Sequence, residues 1–297
     1  MNFNNKFRLG RPRLLLLGCG DVGMRLLPLL VPRFRVFAVT RDESRTGELR
    51  ALGAIPVVAD LDRPASLARL RGLASRVVHL APPQTEGALD LRTRRLTAIL
   101  PEGARLVYVS TSGVYGDCKG ALIDETRGVA PKNARAARRV DAERVLRAWA
   151  MRSAGSVAIL RVPGIYAADR LPLRRLREGT PALRAEDDVY TNHIQADDLA
   201  RIVALALFRG LPGRVYHAAD DTRLKMGDYF DLVADAYGLA RPPRLAREDL
   251  RAAVSPMLLS FMSESRRLDN TRMRRELGVR LRYPDVHRAL AQWALIE

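Results

Sequence analysis

Cysteine and lysine are nearly missing from this chain. Its 297 residues include two cysteines, Cys19 and Cys118. That is too few for the disulfide framework of a small extracellular domain, and it points to a reducing compartment. Lysine supplies only four of fifty basic residues (Lys6, Lys119, Lys132 and Lys225), so 46 are arginine. No apolar run approaches the ~18 residues of a membrane span; the longest, 14–17 and 202–208, are far shorter. Residues 1–11 lack the apolar stretch and cleavage site of a signal peptide. No Cys, His or acidic cluster has metal-ligand spacing, and no internal repeat suggests a solenoid. The expectation is a soluble, cytoplasmic protein without a metal.

What is present is a sizeable apolar fraction, 47%, enough for a large core and too much for a disordered chain. The length suits one large or two modest domains. Net charge is +17, which raises the question of a polyanionic partner. The excess is spread along the chain: 26 basic and 14 acidic residues in 1–150, 24 and 19 in 151–297. No aromatic-studded basic stripe accompanies it. A diffuse, solvated arginine surface with local anion sites is the reading, and nucleic acid is not expected as a partner.

Short apolar strands alternate with amphipathic segments through the first half. Strands are predicted at Arg13–Leu17, Arg35–Thr40, Ile55–Val58, 76–80, 105–110 and 156–161, and helices at 44–52, 64–71, 88–100 and 133–151. Such alternation builds βαβ units around a parallel sheet. Uninterrupted apolar strands such as 77–80 and 106–109 fit a sheet covered on both faces. After Pro163 the texture turns Pro- and Arg-rich, with helical patterns at 195–208, 227–237 and 265–277. The predicted division is 12–163 plus about 191–220 for the sheet domain. A smaller, mostly helical lobe would comprise about 164–190 and 221–297.

Gly18-Cys19-Gly20-Asp21-Val22-Gly23 follows the first strand and opens a helix. In that context the glycine spacing is a dinucleotide-binding turn. Gly18 permits the tight turn, Gly20 lets the backbone approach a pyrophosphate, and Gly23 allows helix and strand to pack closely. The N–H groups at Asp21 and Val22 then face the phosphate charge. At the tip of the second strand stands Thr40-Arg41-Asp42. Arg41 there favours a 2′-phosphate, hence NADP, over NAD held through Asp42. Asp60, beyond the third strand, is a candidate for the adenine amino group or a loop cap.

The stretch Val109-Ser110-Thr111-Ser112-Gly113-Val114-Tyr115-Gly116-Asp117 resembles the extended short-chain dehydrogenase/reductase family, the nucleotide-sugar epimerase/dehydratase type. His79-Leu80-Ala81-Pro82, Leu160-Arg161-Val162-Pro163-Gly164-Ile165-Tyr166 and 193–200 match it in the family's order, over nearly 12–220. The resemblance implies a Rossmann-type doubly wound α/β sheet with a smaller, mostly helical C-terminal lobe. It also implies cofactor contacts at Leu80, Ala81, Pro82 and Pro163, a catalytic Ser/Thr at Thr111, and substrate-side roles for Ser112, Tyr166 and His193. Homodimer pairing through helices 88–100 and 133–151 is a further implication. In the family a Tyr-x-x-x-Lys pair moves the proton. Here those positions fall on Arg135 and Arg139, so the chain resembles the atypical branch that lacks the pair. Arginine stays protonated and cannot cycle as an acid and base. Arg139 is left to bond the cofactor ribose, Arg135 to clamp an anionic group, and Tyr115 is the remaining motif tyrosine. The leading expectation is an NAD(P)-dependent oxidoreductase, epimerase/dehydratase-like, acting on a small nucleotide-linked or anionic substrate. The alternative is a non-catalytic NAD(P)-binding sensor or partner subunit.

Overall fold

A computed structural model of the chain describes residues 10–293. Residues 1–9 of the leader reading and 294–297 of the C-terminal lobe lie outside the described residues. Four leucines follow Arg13 in strand β1 (Arg13–Leu17), and all four are fully buried. A strand apolar on both faces needs cover on both sides, and that places it at the centre of a sheet. Strands β2 (Arg35–Thr40) and β3 (Ile55–Val58) lie to one side of β1, and β4 (Arg76–His79) and β5 (Arg105–Thr111) to the other. Strands Ser156–Val162 and Val215–His217 complete seven, in the order Val215–His217, Ser156–Val162, β5, β4, β1, β2, β3. The sheet is parallel, with Leu15 opposite Phe37 in β2 and Val77 in β4. Chain order reverses at β1, the switch point where Rossmann-type folds bind ligands beyond the strand ends. Helices α1 (Asp21–Leu30), α2 (Thr46–Ala51), α3 (Leu91–Thr97) and α4 (Ala134–Arg152) supply the connections.

The chain divides into two compact units. One comprises the described residues to 110, with 137–160 and 200–215; the other comprises 111–136, 161–199 and 216–293. The first holds most of the sheet and a core running from Leu15 and Leu17 through Val77, Leu106 and Tyr108 to Leu146 and Trp149. The second is mostly helical, with three two-stranded parallel ladders. Its core gathers Tyr166, Tyr229, Phe230, Val233, Leu250 and Trp293. Its last helix, Val286–Trp293, buries Val286, Ala289, Leu290 and Trp293, the i, i+3, i+4, i+7 stripe of an amphipathic helix. Residues 111–136, 161–163, 191–199 and 216–220, grouped by sequence with the glycine turn, fall in this second unit.

Four element assignments need correction. The 64–71 helix is a 3₁₀ run, Pro64–Leu70, and 44–52 splits into a 3₁₀ turn, Glu43–Arg45, followed by α2. The 88–100 helix shortens to α3, because the Asp90 side chain accepts from Thr93 N–H and starts the helix there. The 265–277 pattern opens as a strand, Arg267–Leu268, which takes Leu122–Ile123 as its partner. The seventh sheet strand, Val215–His217, was not read from the sequence. Three residues are too few to display a period.

Candidate functional site

The first unit carries a cleft of about 260 Å³ at the carboxyl ends of β1, β2 and β3. Gly18, Gly20, Thr40, Arg41, Asp60, Ala81 and Pro82 line it together, as do Arg45 and Arg92. The three glycines do different work. Gly18 has φ +92°, and a Cβ there would stand 2.5 Å from the Ala81 backbone nitrogen. Leu80 and Ala81 N–H both donate to Leu17 O, at 2.8 and 3.1 Å, so the loop after β4 is stitched against the turn. A Cβ on Gly23 would stand 2.6 Å from Gly18 O. A Cβ on Gly20 would meet nothing within 4 Å, which leaves its backbone open to a ligand. This cradle fits a pyrophosphate lying on the N-terminus of α1. Asp21 pairs with Arg25 at 2.8 Å, which offsets its negative charge at that end.

The second strand tip is arranged unequally. Asp42 caps the following turn, its Oδ1 accepting from Ser44 N–H at 2.9 Å and Ser44 Oγ–H at 2.6 Å, and these bonds hold its carboxyl low. Arg45 donates to Cys19 O at 2.7 Å and pairs with Glu48. Arg41 is exposed at the cleft. Asp60 Oδ1 accepts from Asp62 N–H at 2.9 Å, the loop-cap arrangement. Arg92, which sequence reasoning missed, bonds Pro82 O at 2.8 Å and pairs with Asp62, tying the loops after β3 and β4 together. Its signal is hidden among 46 arginines. Burial pushes the Cys19 thiol up to about 12, so it is not a nucleophile at neutral pH.

Arg139 lies in the first unit and donates to Tyr108 Oη at 3.0 Å and Val109 O at 2.8 Å. Arg138 is buried and donates to Gly87 O. Ser110 Oγ–H donates to the buried Glu143 at 2.6 Å. His79 bonds Thr93 Oγ1 at 3.1 Å, and burial, then the charges of Arg139 and Arg92, hold it near 3. It is a neutral structural ring.

The second unit encloses a cavity of about 370 Å³. Thr111, Ser112, Arg135, Pro163, Tyr166 and His193 all line it. Pro163 was assigned to the cofactor from resemblance, yet here it lines this cavity. Thr111 Oγ1 accepts from Gly113 N–H at 3.2 Å and opens the turn that carries Ser112. Arg135 sits 4.6 Å over the Phe261 ring. Arg170, Arg175 and Arg266 also line the cavity, against the single carboxylate of Glu264, which pairs with Arg266 at 2.8 Å. Arg175 stacks 4.1 Å over Phe230, and burial lowers it to about 10, still charged at neutral pH. These arginines lie beyond the recognisable motifs, and sequence offered no reason to separate them from the surface.

Tyr115 lines neither space. It is buried, accepting from Arg161 at 2.7 Å and donating to His217 Nε2 at 2.5 Å. His217 Nδ1 faces Asp269 O at 2.9 Å, which fixes the proton on Nδ1 and makes Nε2 the acceptor. A phenol so enclosed supports the turn from beneath.

The fold and the glycine cradle define a dinucleotide-binding α/β protein. Residues 18–219 match the model of the NAD dependent epimerase/dehydratase family, and the chain belongs to that family. Among solved structures, a conserved protein of unknown function from Silicibacter pomeroyi is 28% identical. It has a TM-score of 0.78 over 96% of this chain and 99% of that one. A putative NAD-dependent epimerase/dehydratase from Methylobacillus flagellatus is 25% identical, TM-score 0.71, over 97% and 100%. DesIV, a dTDP-glucose 4,6-dehydratase from Streptomyces venezuelae solved with NAD, shares the fold at 22% identity, TM-score 0.75, over 95% of both chains. No curated protein matches the sequence. No helix among the described residues is long and apolar enough to cross a membrane.

Proposed function

We propose that this chain is an NAD(P)-dependent oxidoreductase of the epimerase/dehydratase kind, acting on a small anionic, nucleotide-linked substrate. The observation that carries the reading is the second unit's cavity, where four arginines face one glutamate beside Thr111. Arginine forks match phosphate and carboxylate geometry, and the dTDP-glucose dehydratase among the structural neighbours acts on a substrate of that class. Gly18, Gly20 and the N-terminus of α1 would hold the dinucleotide pyrophosphate, with Ala81 and Pro82 against it. When bound, the nicotinamide supplies hydride acceptance and return. Arg41 would meet a ribose 2′-phosphate, because Asp42 is already engaged in its own turn; NADP is therefore the preferred cofactor. Thr111 would orient the reacting oxygen by a hydrogen bond, and Arg135 would take the anionic group rather than a proton.

Titration of the chain with NADPH and NADH, followed by turnover assays on nucleotide sugars and small carbonyls, tests this reading. NADPH should bind more tightly, and Thr111→Ala should lower kcat by about 10²-fold with cofactor affinity unchanged, the scale of one lost transition-state hydrogen bond. Absence of binding by either dinucleotide would sink it. One observation favours a non-catalytic alternative: neither Arg135, stacked on Phe261, nor Arg139, bonded to Tyr108 and Val109, can give up a proton. Tight cofactor binding without turnover on any of those substrates would select that reading.

A further inference from the structure

The amino ends of the sheet strands, the edge opposite the glycine cradle, carry a row of arginines. Strands β1, β2, β4 and β5 begin at Arg13, Arg35, Arg76 and Arg105. The parallel register sets Arg13 opposite Arg35 and Arg76 opposite Arg105, while Arg76 faces Leu14, the chain neighbour of Arg13. The four arginines therefore stand on four adjacent strands, in the order β2, β1, β4, β5. At a strand spacing of ~4.8 Å they span about 14 Å of edge. Arg13, Arg35 and Arg105 are exposed and Arg76 is half-buried. Among the described residues, none of the four takes part in an ion pair. Like charges facing each other on neighbouring strands repel and cost stability, and a neutral polar side chain would begin each strand without that cost. Aromatic rings underlie the row. Arg76 lies 5.9 Å over Phe34 and Arg35 5.7 Å over Phe37. Phe34 is buried and stacks at 5.6 Å on Phe208, in the last turn of helix Ala196–Arg209. The Phe208 ring is 40% exposed, with Arg33 5.5 Å over it. Arg13 also lines a hollow of about 740 Å³ with Arg11, Ser75 and the acidic Glu102.

We propose that this edge binds single-stranded nucleic acid, the arginine row taking successive backbone phosphates and Phe208 a base. Guanidinium forks match phosphate geometry, and a line of four along the sheet edge suits a linear polyanion better than one compact anion. Phe208, held in place by Phe34 and faced by Arg33, is a stacking platform. A phenyl face beside a guanidinium plane accepts any unpaired base, which makes such binding tolerant of sequence. A duplex keeps its bases stacked inside itself, and an acidic polypeptide offers carboxylates without bases, so neither uses the row and the ring together. The site is independent of the reaction the chain performs. The dinucleotide cleft lies at the carboxyl ends of β1, β2 and β3, so the two ligands occupy opposite edges of one sheet. No stretch of sequence displays this surface, because only the strand register brings the four arginines side by side.

The test is fluorescence anisotropy of the full chain with a labelled ~20-nucleotide oligo(dT). Binding should persist at ~150 mM salt, and log Kd should rise with log salt at a slope of about 3, near 0.7 for each of four phosphates. Arg13→Gln combined with Arg76→Gln should weaken binding about tenfold or more and lower that slope by about 1.4. Removing the same charge from exposed positions elsewhere, by Arg251→Gln with Arg280→Gln, should change affinity by less than about twofold. Phe208→Leu should weaken oligo(dT) binding by about fivefold or more and leave binding of inorganic polyphosphate unchanged. NADPH affinity, read on the same variants, should stay level and so report an intact sheet. Loss of oligo(dT) binding near ~150 mM salt overturns the proposal. Equal weakening by the control pair overturns it too, assigning the binding to diffuse charge. Polyglutamate that binds as tightly as oligo(dT) overturns it in favour of an acidic-peptide surface. A Phe208→Leu variant that binds oligo(dT) like the wild type overturns it in favour of a site for phosphate chains alone.

Discussion

At the scale of single residues, identical side chains take different parts according to what surrounds them. Arg139 is tied to Tyr108 and Val109, Arg138 to Gly87, and Arg135 stacks on Phe261 at the cavity. One helical stretch of arginines therefore serves three purposes, and the sequence pattern cannot apportion them. Arg41 is the residue on which cofactor choice turns. Arg41→Ala should weaken NADPH binding by about 10- to 100-fold, the scale of a charge-assisted hydrogen bond, and leave NADH within about threefold. Fluorescence titration reads both, and an equal loss for the two cofactors would contradict the assignment.

Asp220 gives a second residue-scale prediction, in stability. Its carboxyl keeps a proton up to about pH 8 in the folded chain, against an ordinary value of 3.8. The folded state thus binds more protons between those values. The contribution is fully present below about pH 4 and declines as pH rises through 8. The slope is at most about 1.4 kcal/mol per pH unit inside the window. Asp220→Asn removes that dependence. Thermal melts at pH 5 and pH 9 should show the variant gaining on the wild type as pH rises, and parallel melting curves at the two values would contradict it.

At the scale of elements, the glycine turn shows how a motif divides its work. Gly18 and Gly23 are demanded by backbone standing within 2.6 Å of where their Cβ atoms would be, whereas Gly20 faces open space. Gly18→Ala should therefore lower Tm and cofactor affinity together, at a cost of several kcal/mol from strain and overpacking. Gly20→Ala should leave Tm nearly unchanged and still reduce dinucleotide affinity by tenfold or more, because its N-cap φ of −76° suits any residue. Melts and titrations on the pair separate the two roles. The strand–helix alternation was legible because strands buried on both faces are unbroken apolar runs, as in Leu14 to Leu17. Arg267–Leu268 was not, because a two-residue strand owes its existence to Leu122–Ile123, distant in the chain.

At the scale of the whole molecule, +17 of net charge predicts weak, unspecific attraction to any polyanion. Binding to a random DNA duplex should be measurable at ~20 mM salt and vanish near 150 mM, as the counterion-release slope requires. Affinity that survives physiological salt would point to a nucleic-acid site. Arginines also pair with carboxylates, as in Arg92 with Asp62, Arg94 with Asp141, Arg241 with Asp235 and Arg274 with Asp221, and these pairs leave the net excess unchanged.

The sequence alone determined the parallel α/β sheet, the glycine cradle and the family, because each is written in contiguous residues whose period and spacing act locally. Tertiary structure decided the rest. It enclosed Tyr115 against Arg161 and His217, gathered Arg170, Arg175 and Arg266 with Arg135 around one cavity, and set Asp220 behind Tyr166 and His193. Those relations join residues as far apart in the chain as Arg135 and Arg266, and the desolvation that acts on Asp220 and His193 exists only once the chain has closed around them.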